Sequence, residues 1–477
     1  MVKYAMTKTD LKYVSTRGPG PSHSFIDVMM AGMAPDGGLY LPETWPELDR
    51  DIFSHLSGMS YAEIAMHIVE PFVGKDLAQE TLQSLLNETY TPEFFDHTTL
   101  TPLIQAGPNA WIMELFHGPT YSFKDYALQF LGRLFDHVLA QRGERITIVG
   151  ATSGDTGSAA IEATRYCKNI DIFILHPQGR TSEIQRRQMT TVSAPNVFNI
   201  ALEGTFDDCQ GVVKSLFADE KFRNDVNLSA VNSINWVRIM AQIVYYAVAA
   251  VALGAGQRPV SFAVPTGNFG NVYAGWVARR MGVPIKNLVV ASNRNDILTR
   301  FFETGEMKIE GVVPSLSPSM DIQISSNFER YLCDLMGRDY QSLAKLMEGF
   351  KTQKSFRLSG SLMEKARNDF HSYRCTDIQT LEMMKQCHKA TGIVIDPHTA
   401  VGFHAAQQEM ERDPVTPMVM MACAHPAKFP DAVRQATGID PVMPPSLAAV
   451  RNKAEHLIVL PRDTDRVQKY IRQSVNK

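Results

Sequence analysis

The sequence predicts an α/β protein built on mostly parallel sheets with helices on both faces. Two patterns carry that expectation. From about residue 96, short β-branched runs alternate with longer stretches of helical apolar period. Several of the strand-to-helix junctions are loops rich in Gly, Ser, Thr and Asn rather than plain turns. Composition agrees: 477 residues, 44% hydrophobic and 20% charged, suffice for more than one buried core. The net charge of -3, with no long run of one sign, argues against nucleic acid or an anionic membrane as a partner.

In chain order, residues 1–95 carry turn punctuation ("RGPGPSHS", "APDGGLYLPETWP") around two helical patterns and read as a separate N-terminal domain. The opening "MVKYAMTKTDLKYVSTRG" has no apolar h-region, so no secretory signal is expected there. Residues 96–240 begin the strand–helix alternation. "FHGPTYSFKDYALQFLG" leads into a helix with apolar positions at Phe123, Ala127, Phe130, Leu131, Leu134, Phe135 and Val138. "ITIVG" then precedes "DTGSAAIEATRYC", and "DIFILHP" precedes a polar helix from Ser182. Residues 241–477 form the next lobe. "IVYYAVAAVALGAG", from Ile243, is too short for a bilayer and reads as a buried helix. "VSFAVP", "NLVVAS" and "PMVMMACA" each precede a helical pattern, and strand followed by helix, repeated, implies parallel pairing. Residues 305–391 are mainly helical and richer in charge, as an insertion would be. The six cysteines, Cys167, Cys209, Cys333, Cys375, Cys387 and Cys423, form no C-x-x-C pair. Neither a disulfide framework nor a structural zinc site is expected, and a reducing cytoplasm fits best.

In open α/β sheets ligands collect beyond the carboxyl ends of the strands. "GATSGDTGSAA" there supplies Thr152, Ser153, Asp155 and Thr156 at a helix start, with Gly154 and Gly157 letting the backbone approach an anion. A plain N-cap accounts for the same residue types. "PTGNFGN" offers Gly267, Asn268, Gly270 and Asn271, whose amides suit a phosphate as well as a tight turn. "ACAHPAKFP" crowds Cys423, His425 and Lys428 at a strand end, where the ordinary reading is a core histidine and a surface lysine. "SSNFERYL" places Ser326, Asn327 and Arg330 at a helix start, as a phosphate clamp or as a cap beside an exposed arginine. "STRGP" near Arg17 and "IDPHTAVG" around Asp396 and His398 are also site-like, with His398 expected to help cap the following helix.

Lys124 follows the rigid turn His-Gly-Pro-Thr and lies between Phe123 and Tyr126. Water holds a lysine charged, near pKa 10.4. Desolvation by these aromatics, with a nearby cation or helix N-terminus, lowers that value and frees the amine to condense with an aldehyde. A phosphate-binding turn, a carboxylate cradle and such a lysine on one α/β sheet together describe pyridoxal phosphate and an amino-acid substrate.

"FHGPTYSFKDYALQFLG", "GATSGDTGSAAIEA", "PTGNFGNVYAG" and "AHPAKFP", in that order, resemble the threonine synthase family in its longer, chiefly microbial branch. "STRG" with "APDGGLYLP" is similar to that family's N-terminal domain. The resemblance runs from about Val14 to Gly438. It implies a fold-type II pyridoxal phosphate enzyme of the tryptophan synthase β-subunit superfamily, with the cofactor between two α/β lobes. It also implies conversion of O-phospho-L-homoserine and water to L-threonine and phosphate, the last step of threonine biosynthesis. Lys124 matches the Schiff-base lysine. Gly267, Asn268, Phe269, Gly270 and Asn271 match the loop around the pyridoxal 5'-phosphate phosphate, and Thr152, Ser153, Gly154, Asp155 and Thr156 the loop for the substrate carboxylate. Cys423 stands where similar enzymes carry a hydroxyl residue facing the pyridine nitrogen, and a thiol is the weaker partner. Ser326, Asn327 and Arg330 are the expected ligands of the substrate phosphate. No metal and no obligate protein partner are expected. A phospho-lyase of the same fold, releasing 2-oxobutyrate, and a non-catalytic phosphometabolite-binding protein are the rival readings.

Overall fold

The computed structural model describes residues 10–49, 51–152, 154–229 and 232–475. They form two compact units. One comprises the chain to His117 and Ser233–Pro441, the other Gly118–Asn232 and the chain from Val442. The expected boundary near 240 therefore falls earlier, and residues 442–477 leave the expected third segment to join the unit that holds Lys124.

The first unit opens with a three-stranded antiparallel sheet of β1 (Tyr13–Ser15), β2 (Gly18–His23) and β3 (Tyr40–Pro42), in the order β2-β1-β3. Helix α1 (Phe25–Ala31) starts on a capping box in which Ser24 and Asp27 satisfy each other's amides. Then come α2 (Tyr61–Val73), also on a capping box, and α3 (Gln79–Thr89). The helices are where the apolar period places them, whereas the small sheet is built from strands too short and Gly/Pro-rich to announce themselves. Strands β4 (Leu103–Gln105) and β5 (Ala110–Glu114) begin the main sheet of this unit.

The second unit starts with α4 (Lys124–Arg142), then β6 (Ile146–Ala151), α5 (Asp155–Thr164), β7 (Ile170–Pro177), α6 (Glu183–Thr190), β8 (Val197–Glu203) and β9 (Leu228–Ser229). The first unit resumes with α7 (Trp236–Gly254), β10 (Val260–Pro265), α8 (Gly270–Arg280), β11 (Ile285–Ser292), α9 (Phe328–Leu335), β12 (His371–Arg374), α10 (Pro397–Arg412) and β13 (Met418–Ala422). The chain closes in the second unit with β14 (Ile458–Pro461) and α11 (Thr464–Val475).

The six-stranded sheet runs β12-β11-β10-β13-β5-β4, parallel throughout except for β4. Its core joins Ile112, Ala263, Val289 and Met420 to Val401 and Val433. The five-stranded sheet runs β14-β8-β7-β6-β9, with every pair parallel. Val149, Phe173, Leu175 and Ile200 pack there with Val467 and Ile471 of α11. Near-continuous apolar strands covered by helices are what parallel sheets require.

Two expectations change. The segment 305–391 is largely helical, yet it supplies β12, which pairs with β11 as an edge of the main sheet, so it is part of the framework. The apolar run from Ile243 belongs to a helix that starts earlier, at Trp236. Its 19 residues are long and apolar enough to cross a membrane by length and composition, but they are mostly buried in the protein.

Candidate active site

In the second unit the turn before α4 is organised by Asp125, a residue the sequence did not single out. Its carboxylate accepts the Thr120 amide at 2.9 Å and the Thr120 hydroxyl at 2.7 Å. Gln188 Nε2 donates to Thr120 O at 3.1 Å. The turn fixes where Lys124, the first residue of α4, is presented. The lysine side chain is only 11% exposed, and Nζ lies 5.0 Å from the Phe123 ring centre. The sheltering aromatic and the helix start are both found, and a carboxylate stands beside the amine. Asp155 Oδ2 is 3.5 Å from Lys124 Nζ.

Asp155 is itself the first residue of α5, and its Oδ1 accepts Gln185 Nε2 at 2.8 Å. Gln185 is fixed in turn by Ser182 Oγ at 2.9 Å. Gly154 has φ +155°, and a Cβ there would lie 2.6 Å from Gln185 Cδ, so nothing larger fits. Thr152 Oγ1 accepts the amides of Gly154 and Gly157, each at 3.0 Å. The expected carboxylate cradle is thereby corrected in two places. The Thr152 hydroxyl is spent on its own loop, and the Asp155 side chain is an anion turned to Lys124, which would repel a substrate carboxylate. Thr156 stays half-buried in the first turn of α5, and Ser153 lies outside the described residues.

The carboxyl edge of the six-stranded sheet carries the other residues. β10 runs into Gly267 and Asn268, both half-buried, and Asn268 Oδ1 accepts the Gly270 amide at 3.0 Å. Phe269 adopts the left-handed φ of +67°, which turns the chain into α8. Asn271 is buried. Its Oδ1 accepts the hydroxyls of Tyr245, at 2.7 Å, and Tyr246, at 2.9 Å, while its Nδ2 has no partner among the described residues. Cys423 is buried one residue past β13, with its thiol 3.5 Å from Met421 O.

The expected phosphate clamp is not available for that purpose. Arg330 has no exposed surface, and its guanidinium donates to Tyr40 O at 2.8 Å, to Ile234 O at 2.6 Å and to Asn327 Oδ1. Asn327 Nδ2 donates to Ser233 O at 3.0 Å. Both side chains hold the backbone together; Ser326 is exposed at the turn.

The arginine that fits an anion is Arg238, in the first turn of α7. It is 3% exposed, and its Nε and Nη1 have no hydrogen-bond partner among the described residues. Burial pushes its guanidinium down to about 10. Its carbonyl accepts Gln242 Nε2, and Gln242 Oε1 accepts the Tyr245 hydroxyl that also bonds Asn271, so Arg238 is tied to the strand-end loop that ends at Asn271. The signal in the sequence was a lone arginine in the apolar run "WVRIM" just after an Asn cap.

The other singled-out residues are structural. Asp396 caps α10 through the amides of His398 and Thr399 and also bonds His398 Nδ1 at 2.7 Å. His425 Nδ1 accepts the Ala427 amide at 3.1 Å, and burial pushes its imidazole down to about 4. Lys428, expected on the surface, is buried.

Residues 94–423 match the family model of the pyridoxal-phosphate dependent enzymes, the class that a sheltered lysine at a helix start and an amide-rich strand-end loop define. Flanking segments narrow the class: residues 12–90 match the threonine synthase N terminus and 399–471 the threonine synthase C-terminal model. The threonine synthase of Pseudomonas aeruginosa is 50% identical over 468 residues, covering 98% of this chain and 99% of that protein. That of Corynebacterium glutamicum is 42% identical over 474 residues, covering 97% and 98%. The crystal structure of the PLP-bound threonine synthase from Brucella melitensis superposes with a TM-score of 0.95 at 47% identity, over 98% of this chain and 100% of that one. The chain belongs to the threonine synthase family. Its cofactor is pyridoxal 5'-phosphate, and the residues present fit that group. The amine of Lys124 is nearly out of solvent, and two buried donors, Arg238 and Asn271 Nδ2, are tied to a strand-end loop and lack partners among the described residues.

Proposed function

We propose that this chain converts O-phospho-L-homoserine and water to L-threonine and phosphate, with Lys124 both holding the cofactor and moving protons. The position of that amine carries the reading: first in α4, sheltered by Phe123 and fixed by the Asp125–Thr120 turn. When bound, pyridoxal phosphate supplies an aldehyde for the amine and a ring that takes up electrons from the substrate. The loop Gly267–Asn271, at the start of α8, receives the cofactor phosphate on its amides. The start of α5 at Thr156 receives the substrate carboxylate. Arg238, rather than Arg330, takes the substrate phosphate, because its guanidinium is buried with two unpartnered nitrogens. Cys423 would be the residue to meet the ring nitrogen of the bound cofactor.

The chemistry balances without any redox step. The Cγ–O bond to phosphate breaks, hydroxyl from water joins Cβ, and Cγ gains a proton to become the methyl group of threonine. Lys124 Nζ takes one proton each from Cα and Cβ, delivers one to Cγ and returns one to Cα, the second hydrogen of water leaves with the phosphate, and Asp155 Oδ2 at 3.5 Å keeps the lysine ammonium in place. The same reading puts the enzyme in the cytoplasm with a small-molecule substrate and no obligate protein partner, and six cysteines outside any disulfide suit a reducing compartment.

The test is product analysis from purified protein, pyridoxal phosphate and O-phospho-L-homoserine. Threonine is expected in stoichiometric balance with phosphate, and 2-oxobutyrate in its place overturns the reading. Lys124→Ala should lose both turnover and the lysine-linked chromophore, and normal turnover by that variant removes Lys124 from the mechanism.

A further inference from the structure

Two motifs near the N-terminus, "STRG" and "APDGGLY", have no part in the chemistry above, yet both converge on one carboxylate, Glu329. Thr16 Oγ1 donates to Glu329 Oε1 at 2.6 Å. Arg17 makes a two-pronged pair with it, Nε to Oε1 and Nη2 to Oε2, each at 3.0 Å. Glu329 is buried, while Arg17 is about one-third exposed. The Asp-Gly-Gly turn lies over this arginine. A Cβ on Gly37 would sit 3.1 Å from Arg17 Nη1, and one on Gly38 3.0 Å from Arg17 Cγ and 2.2 Å from Ser15 Oγ. Asp36 Oδ1 fastens the turn to Ser15 Oγ at 2.8 Å, and Thr16 Oγ1 accepts the Leu39 amide at 2.9 Å. The next residue of α9, Arg330, reaches the same sheet at Tyr40 O.

The opposite side of this helix start supports the phosphate loop. Ser325 Oγ donates to Gly267 O at 2.6 Å, and the Asn327 amide donates to Asn268 O at 3.1 Å. The Phe328 ring meets Phe269 edge-on at 4.9 Å, and Tyr331 meets it at 6.0 Å. Phe269 is the residue with the left-handed φ, and such a backbone persists in a non-glycine residue only where its surroundings over-determine it. Here the surroundings are α9 together with the Phe370 ring, which meets Phe269 edge-on at 5.2 Å, and α9 is gripped by the N-terminal sheet.

We propose that Glu329 is a positioning residue: through it the N-terminal domain holds α9 in register, and α9 holds Gly267–Asn271 in the shape that binds the cofactor phosphate. The proposal rests on the assignment of that loop to the cofactor phosphate. It gives the N-terminal domain a task in cofactor retention although none of its residues need touch the cofactor.

The experiment compares pyridoxal phosphate with pyridoxal, which lacks the phosphate, as ligands of full-length cofactor-free protein. Glu329→Gln should weaken pyridoxal phosphate binding roughly three- to thirtyfold. Pyridoxal binding should stay as in the parent, whatever the change in melting temperature of the cofactor-free protein. Arg17→Gln should reproduce the effect, and the double variant should be no worse than either single one, since all three break the same link. Unchanged pyridoxal phosphate affinity in Glu329→Gln overturns the proposal. So does equal weakening of both ligands together with a fall in melting temperature, which would mark a merely structural ion pair. Should Glu329→Gln not fold, Arg17→Lys keeps the charge, loses the fork, and must still show the phosphate-selective loss. A parent protein that binds both ligands equally well refutes the loop assignment instead of the positioning role.

Discussion

Replacing Arg238 with methionine gives a result whose sign separates an anion-binding arginine from an ordinary buried one. The methionine keeps the apolar stem and removes a guanidinium whose Nε and Nη1 have no partner among the described residues. Burial lowers the group to about 10, so holding it charged in the fold costs about 3 kcal/mol, at roughly 1.4 kcal/mol per unit of depression. The folded value lies below the unfolded one, so this penalty is full below pH 10 and fades only as pH rises above it. At neutral pH the cofactor-free protein carries all of it. Arg238→Met should therefore raise the melting temperature of cofactor-free protein by about 3–5 °C, from an unfolding entropy of about 2 cal/mol/K per residue. Excess inorganic phosphate should stabilise the parent and leave the variant unmoved. The same substitution should raise KM for O-phospho-L-homoserine by about 10- to 100-fold, the loss of one hydrogen bond to a charged group. Calorimetry with and without phosphate, followed by steady-state kinetics, reads all three. A variant that melts lower than the parent while keeping its KM refutes the assignment.

Arg330→Met should behave in the opposite way, losing about 3–5 kcal/mol on denaturant unfolding because three buried acceptors, Tyr40 O, Ile234 O and Asn327 Oδ1, are left unpaired. Gly154→Ala should cost about 2 kcal/mol in the same assay, since its φ of +155° and the 2.6 Å approach to Gln185 leave no room for a methyl group. Slackened Asp155 should lower kcat in that variant as well, and unaltered kcat and stability would contradict the packing described. His425→Asn should flatten the acid side of the stability profile. Burial holds the histidine near 4 in the fold against 6.5 unfolded, so the unfolded chain gains a proton first and stability drains by about 2–3 kcal/mol between those values. Melting curves across that window check it, and an unchanged slope in the variant means that another group titrates there.

The alternating strands and helices were legible because most of the parallel strands are largely apolar and each helix repeats on its own period: "ITIVG", "DIFILHP", "VSFAVP" and "MVMM" all lie in the sheets. The strand-end loops were legible for the same reason, being local departures from ordinary turn chemistry. What the sequence hid is pairing at long range. β14 is four residues whose partner β8 lies more than 250 residues earlier, and no local pattern shows that the tail from Val442 joins the unit of Lys124. β12 is hidden likewise, a short polar strand amid helices that becomes an edge only because β11 is there to receive it. At Lys124 the aromatic neighbour was adjacent in sequence and visible. The carboxylate of Asp155 comes from the start of another helix, so its approach to the amine was not visible in the sequence.

The two arginines show why site prediction needs partners as well as residue types. Arg330 looked like the clamp, three residues after Asn327 at a helix start, and Arg238 looked like an oddity in an apolar helix. Burial lowers both guanidinium groups to about 10, so neither depth nor ionisation separates them. The acceptors do. Arg330 meets two carbonyls and an amide oxygen, one of the carbonyls supplied by the N-terminal sheet, and its charge is already answered by oriented dipoles. A phosphate arriving there would have to displace bonds that hold three segments together. Among the described residues Arg238 meets no acceptor at two of its nitrogens, and burying a cation in that condition is costly unless an anion is supplied. On the proposed reading the two arginines divide the labour: Arg330 holds the backbone that supports the strand-end loop, and Arg238 is the one left for a phosphate ester.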